Sequence, residues 1–185
     1  MTLAERLLAI HEALVEAQIP HSFGGAIALA YWTEDPRGTN DIDVNIFLPA
    51  AGCEAALKAL PSGISQPRDT VDRIVRDGQI RLRWGDVPVD LFFSYEPVHE
   101  DAAQHSQSVP FAGVSIPVLG PVELAVFKAR FDRTRDWADI EAMITARKLD
   151  VEAVRSALRR MLGDDDQRLD RLDEVEREAL TKGPR

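Results

Sequence analysis

The chain has 185 residues, enough for one well-buried core with a helical extension and too few for two large domains. Hydrophobic residues make up 45% and charged residues 29%, a balance that excludes a chain disordered by composition. A net charge of -9 excludes a generally basic surface of the kind that grips nucleic-acid backbones, so no DNA-specific binding is expected, and the single Cys53 excludes an internal disulfide.

Thr2 followed by Glu5 forms a capping-box pattern, and Leu3, Leu7, Leu8, Ile10, Leu14 and Val15 recur at helical spacing up to a stop near Pro20. This start is an amphipathic helix rather than a leader, and no stretch reaches the roughly 20 apolar residues needed to span a bilayer. The expectation is a cytoplasmic protein without a membrane partner. His21 to Phe23 reads as a short strand, Gly24-Gly25 as a turn, and Ala26 to Trp32 as a helix of small residues. A strand, glycine turn and helix in that order present backbone N–H groups to a phosphate, although an ordinary strand-to-helix connection has the same residues.

The segment Glu34-Asp-Pro-Arg-Gly-Thr39 is a loop that delivers the chain to Asn40-Asp-Ile-Asp-Val-Asn-Ile-Phe47. On a strand, Asp41, Asp43 and Asn45 line one face while Ile42, Val44, Ile46 and Leu48 line the other. Two carboxylates so close need a cation or a shared proton, and hard cations such as Mg2+ take oxygen ligands while leaving room for phosphate. A solvated edge strand is the alternative for a lone Asp-x-Asp.

Residues 50 to 60 read as a helix ending at Pro61-Ser-Gly63, with Cys53 as a helix start or a packed small residue. Gln79 to Trp84 and Val87 to Phe93 flank Gly85-Asp86, a two-residue hairpin signal that brings Asp90 into the sheet. Asp90 stands among Val89, Leu91, Phe92 and Phe93, where an acid needs a partner. Arg68, Arg73, Arg76, Arg81 and Arg83 form a local basic group. Two short strands around Ala112-Gly113 carry prolines that place them near an edge. After Gly120-Pro121 come three or four helices, the last from about Asp165 to Leu180. The four histidines show no metal-ligand spacing, and Trp84 and Trp137 read as core.

In combination, Gly24-Gly25, Arg37-Gly-Thr39-Asn-Asp41-Ile42-Asp43, Asp90, Leu124-Ala-Val-Phe-Lys128 and Arg135-Asp-Trp-Ala-Asp-Ile140 resemble the DNA polymerase beta superfamily of nucleotidyltransferases. The version is that of stand-alone bacterial members, including the abortive-infection type IV toxins. The resemblance implies an α+β fold, a mixed sheet flanked by helices, with residues 1–120 as the catalytic core and 121–185 as a helical segment packed on it. It implies a magnesium-dependent transfer of a nucleoside monophosphate from an NTP to a hydroxyl. Asp41, Asp43 and Asp90 would be catalytic and hold two Mg2+ ions, with Mn2+ as a substitute. Gly24, Gly25, Arg37, Thr39 and Lys128 would bind the nucleotide. The acceptor is RNA or tRNA, a protein, or a small molecule such as an aminoglycoside, and a cognate antitoxin is an expected partner. A non-catalytic nucleotide-binding or antitoxin-type role is the other class. Gly25 and Arg135 depart from the family pattern, where Ser and Lys are common.

Overall fold

The computed structural model describes residues 1–33, 38–94 and 97–182. Its sheet has seven strands in the order β3-β4-β5-β2-β1-β7-β6, where β1 is His21–Phe23, β2 Ile42–Pro49, β3 Ile64–Ser65, β4 Gln79–Trp84, β5 Val87–Ser94, β6 Gln107–Phe111 and β7 Val114–Val118. β2 runs parallel to β5 and β1 parallel to β7, while the other neighbours are antiparallel, so the sheet is mixed. Among the described residues the helices are α1 (Leu3–Glu16), α2 (Gly25–Trp32), α3 (Cys53–Ala59), α4 (Thr70–Asp77), α5 (Pro97–Gln104), α6 (Pro121–Phe131), α7 (Thr134–Thr145), α8 (Val151–Leu162) and α9 (Gln167–Lys182). The α+β class with a mixed sheet is as expected.

Alternation of side chains decides which face of the sheet is dry. A register row of Ile80, Leu91, Val44, Phe23 and Val118 crosses five strands, and every member is buried. Burying apolar side chains of this size contributes about 1.5–3 kcal/mol each before conformational entropy is counted. α1 forms because its capping box is closed, with Glu5 N–H on Thr2 Oγ1 at 3.2 Å and Thr2 N–H on Glu5 Oε2 at 2.7 Å, and its apolar stripe buries Leu7, Ile10 and Leu14.

Contacts divide the chain into two compact units, Met1–Ile27 with Gly38–Leu119, and Ala28–Arg37 with Gly120–Arg185. The first contains the whole sheet. In the second, Pro121 occupies the first turn of α6 behind the N-cap Gly120, Asp132 ends that helix with a left-handed φ of 56°, and Asp150 caps α8 through Ala153 N–H at 3.0 Å. α6 packs on α7 and α8, and α9 packs on α7 and α8, around Leu124, Trp137, Ile140, Met143, Leu158 and Leu172.

Three elements go beyond the sequence expectation: β3, α4 and α5. α4 buries only Thr70 and Ile74 and stops at Gly78, whose φ of 68° suits a residue without Cβ. The expectation that the two proline-bearing strands lie near an edge holds, since the sheet ends in β7 and β6. Pro110 lies in the edge strand β6, but Pro117 lies in β7, between β6 and β1. The sheet tolerates it because β7 reaches β1 only at Val118, past the missing N–H.

Candidate active site

Site geometry begins with β1, whose three residues are all buried and pair with β2 as His21 opposite Ile46, Ser22 opposite Asn45 and Phe23 opposite Val44. One residue on, Gly24 N–H donates to Asp43 C=O at 2.9 Å, which lays the glycine turn across the polar face of β2. A Cβ on Gly24 would come within 2.8 Å of Asn45 Nδ2, and a Cβ on Gly25 would come within 1.7 Å of Asp43 Oδ2. Gly25 also has a φ of 52°, a conformation costly for other residues. The glycines are therefore required first by the side chains of β2. A serine at position 25 has no room beside Asp43 in this arrangement.

Asp43 stands opposite Asp90 on the parallel neighbour β5, and Asp90 stands opposite Arg81 on β4. One register row therefore runs Arg81, Asp90, Asp43, with the glycine turn over its end. Asp90 is 8% exposed, and Arg81 holds it with a two-pronged contact: Nε donates to Oδ1 at 2.7 Å and Nη2 to Oδ2 at 2.6 Å. These hydrogen bonds, then the charge of Asp90, push the Arg81 guanidinium well above its usual range, and Asp41 and Asp43 add to the effect. All three carboxylates thus act on one cation.

Asp41 precedes β2 by one residue and is fixed by Thr39, whose hydroxyl donates to the Asp41 carboxylate and accepts from Asp41 N–H at 3.3 Å. Thr39 accordingly has a local bonding role here. Ser22 is fully buried and meets Ser106 Oγ at 2.5 Å. Arg37 lies outside the described residues.

Lys128 belongs to the second unit and is buried there. Its Nζ donates to Asp139 Oδ2 at 2.6 Å and lies 3.9 Å from Asp136 Oδ1. Asp136 in turn accepts from Arg133 Nε at 2.6 Å and from Arg133 N–H at 3.3 Å, closing the start of α7. Asp136 and Asp139 brace the start of α7 and Lys128. Tyr31 and Trp32 are half-buried on α2, while Trp137 is core and donates to Asp132 at 2.7 Å.

Oxygen ligands from Asp41, Asp43 and Asp90 are the donor set that Mg2+ or Mn2+ prefers. Among the described residues no three His, Cys, Asp or Glu side chains close into a ready metal cluster. At Asp90 each carboxylate oxygen accepts a hydrogen bond from Arg81. The residues fit the cation in kind, and Arg81 sets a positive charge against Asp90.

Sequence reasoning grouped Arg81 with a basic patch and missed its pairing. The signal was present, because a two-residue turn at Gly85-Asp86 pairs Trp84 with Val87, and three steps back along each strand lie Arg81 and Asp90. The histidine pairing was also missed. His11 Nδ1 and His21 Nε2 are 2.9 Å apart, and His21 Nδ1 donates to Ile19 C=O at 2.9 Å.

The family model described as "Nucleotidyl transferase AbiEii toxin, Type IV TA system" matches residues 6–184. The chain belongs to the AbiEii nucleotidyltransferase toxin family. Solved structures similar to it include the crystal structure of ANT(2'')-Ia in complex with adenylyl-2''-tobramycin, at 12% identity and a TM-score of 0.53, covering 98% of this chain and 99% of that one. The solution structure of the antibiotic-resistance factor ANT(2'')-Ia gives 14% identity and a TM-score of 0.51, covering 97% and 91%. These likenesses show a shared nucleotidyltransferase fold. No curated protein matches the chain by sequence. Among the described residues no helix is long and apolar enough to cross a membrane.

Proposed function

We propose that this AbiEii-family nucleotidyltransferase moves a nucleoside monophosphate from an NTP onto a macromolecular hydroxyl, of RNA, tRNA or a protein, as the toxin of a toxin and antitoxin pair. The observation that carries the reading is Asp43 opposite Asp90 beneath the Gly24-Gly25 turn, with Asp41 entering the same strand. In this reading residues 1–120 supply the carboxylates, and residues 121–185 form the helical segment that carries Lys128.

Asp41, Asp43 and Asp90 would hold two Mg2+ ions, which when bound stabilise charge on the attacking and leaving oxygens of an in-line displacement. The protein's own part is positional. The start of α2, from Gly25 onward, would offer backbone N–H groups to the β and γ phosphates, while the Gly24 N–H stays on the Asp43 carbonyl. Thr39 fixes the approach of Asp41. Asp90, once Arg81 turns aside, accepts the proton of the acceptor hydroxyl as its oxygen bonds to the α phosphorus and pyrophosphate leaves. Lys128, held by Asp139, steadies α6 against α7.

A small-molecule hydroxyl, aminoglycoside-like, is the second reading, supported by the end-to-end fold likeness to ANT(2'')-Ia. Incubation with each α-labelled NTP, Mg2+ and total RNA, protein extract or an aminoglycoside panel separates the acceptors. Label is expected on RNA or protein with wild type and on nothing with Asp41→Ala or Asp90→Ala. Label on aminoglycosides alone would replace the macromolecular reading, and transfer that survives both substitutions would overturn the assignment of the carboxylates.

A further inference from the structure

We infer that Arg81 is a positioning residue that holds the place of a divalent cation at Asp90, yields that carboxylate when metal arrives with nucleotide, and thereby makes metal binding depend on the nucleotide. The inference rests on the metal-dependent reading above and adds to it the control of metal entry.

Three observations carry it. First, Asp90 offers two oxygens, and both accept short charge-assisted hydrogen bonds from a single guanidinium. A cation that takes either oxygen meets the positive charge of Arg81 at close range, so the two occupants compete. Second, the partners differ in freedom. The Asp90 side chain is 12% exposed and the Arg81 side chain 58%, so the acid is held by its burial while the arginine has solvent into which it can swing. Third, Arg81, Asp90 and Asp43 stand in one register row across β4, β5 and β2, so the guanidinium shares its row with two of the acids.

An incoming divalent ion replaces that one charge with two and leaves Arg81 without a carboxylate. A triphosphate arriving with the ion supplies new anionic oxygens at the edge of the same face, and the freed guanidinium suits phosphate oxygens as well as it suits carboxylate. Metal alone must displace Arg81 into water, whereas metal with nucleotide displaces it onto a new partner. The coupling is reciprocal, and a coupling of this kind commonly spans about 5- to 150-fold. The basic β4 strand is then part of the binding device. An arginine that only braced the hairpin would show no such coupling.

The test is Mn2+ binding to the full chain, followed by the electron paramagnetic resonance signal of free Mn2+, with and without an α,β-methylene NTP analogue. Arg81→Met is expected to bind Mn2+ alone about tenfold more tightly than wild type and to gain less from the analogue. Arg81→Lys, which keeps the charge and loses the two-pronged geometry, is expected between them. Equal or weaker Mn2+ binding by Arg81→Met overturns the inference and leaves the proposed function standing. Mn2+ binding by none of the proteins, even with the analogue, overturns the metal reading and this inference together. A measurement on wild type needs no variant: the Arg81 Nε–H resonance should shift when Mg2+ and the analogue are added together. A resonance that stays in place while they bind overturns the inference.

Discussion

Asp43 and Gly25 show how closely the two halves of the sequence motif depend on one another. Gly25→Ala places a Cβ 1.7 Å from Asp43 Oδ2 at a φ of 52°, so the turn or the carboxylate must move. Strain of this kind costs about 1–3 kcal/mol, and the displaced acid should lower transfer by about a hundredfold or more. Thermal melting and labelled-NTP transfer read the two effects separately, and unchanged activity would remove Gly25 from the site. The histidine pair gives a second residue-scale expectation. Burial pushes His21 and His11 below their ordinary value of 6.5, so as pH falls the unfolded chain takes up these protons before the fold does. The unfolded state then binds more protons as pH falls, and stability that is complete above about 6.5 is lost progressively below it. Denaturant melts at pH 7.5 and 5.5 should show the loss, and His21→Phe should flatten it. This pairing joins α1 to β1 and could not be read from histidine spacing, because it depends on where the helix lies.

Elements owe their positions to different kinds of signal. The hairpin of β4 and β5 was legible as two strands about a Gly85-Asp86 turn. The turn also fixes the register that sets Arg81 opposite Asp90, a pairing that sequence reasoning passed over. The capping box of α1 and the Gly120-Pro121 start of α6 were equally local. Lys128 was not legible. A lysine on a helix is ordinarily solvated, yet here it is buried against Asp139 and near Asp136, a pairing that only the packing of α6 on α7 creates. Removing one member of a buried ion pair leaves an uncompensated charge, so Lys128→Met should destabilise the chain by about 3–5 kcal/mol. Lys128→Met combined with Asp139→Leu should restore part of that loss. Chemical denaturation of both variants checks the expectation, and a single variant as stable as wild type would return Lys128 to the role of a phosphate contact.

For the molecule as a whole, ligand binding and folding are linked. A ligand that binds only the folded chain stabilises it by about 2.7 kcal/mol at a hundred times its dissociation constant. Mg2+ and an NTP analogue added together should therefore raise the melting temperature by several degrees, each alone by less, and Asp43→Asn should abolish the rise. A rise that persists in Asp43→Asn would mean the nucleotide binds elsewhere.

By itself the sequence determined the α+β class, the family, the strand alternation that separates acids from core, and the hairpin that faces Arg81 toward Asp90, because each rests on short-range periodicity or on a turn. Tertiary structure decided that Asp43 lies opposite Asp90, that Asp43 leaves no room for a side chain at Gly25, and that Lys128 is buried in an ion pair. Those outcomes depend on the parallel pairing of β2 with β5 and on helix packing. Parallel strands are joined by long connections whose residues carry no register, so their alignment is set only when the row from Ile80 to Val118 closes over a common core.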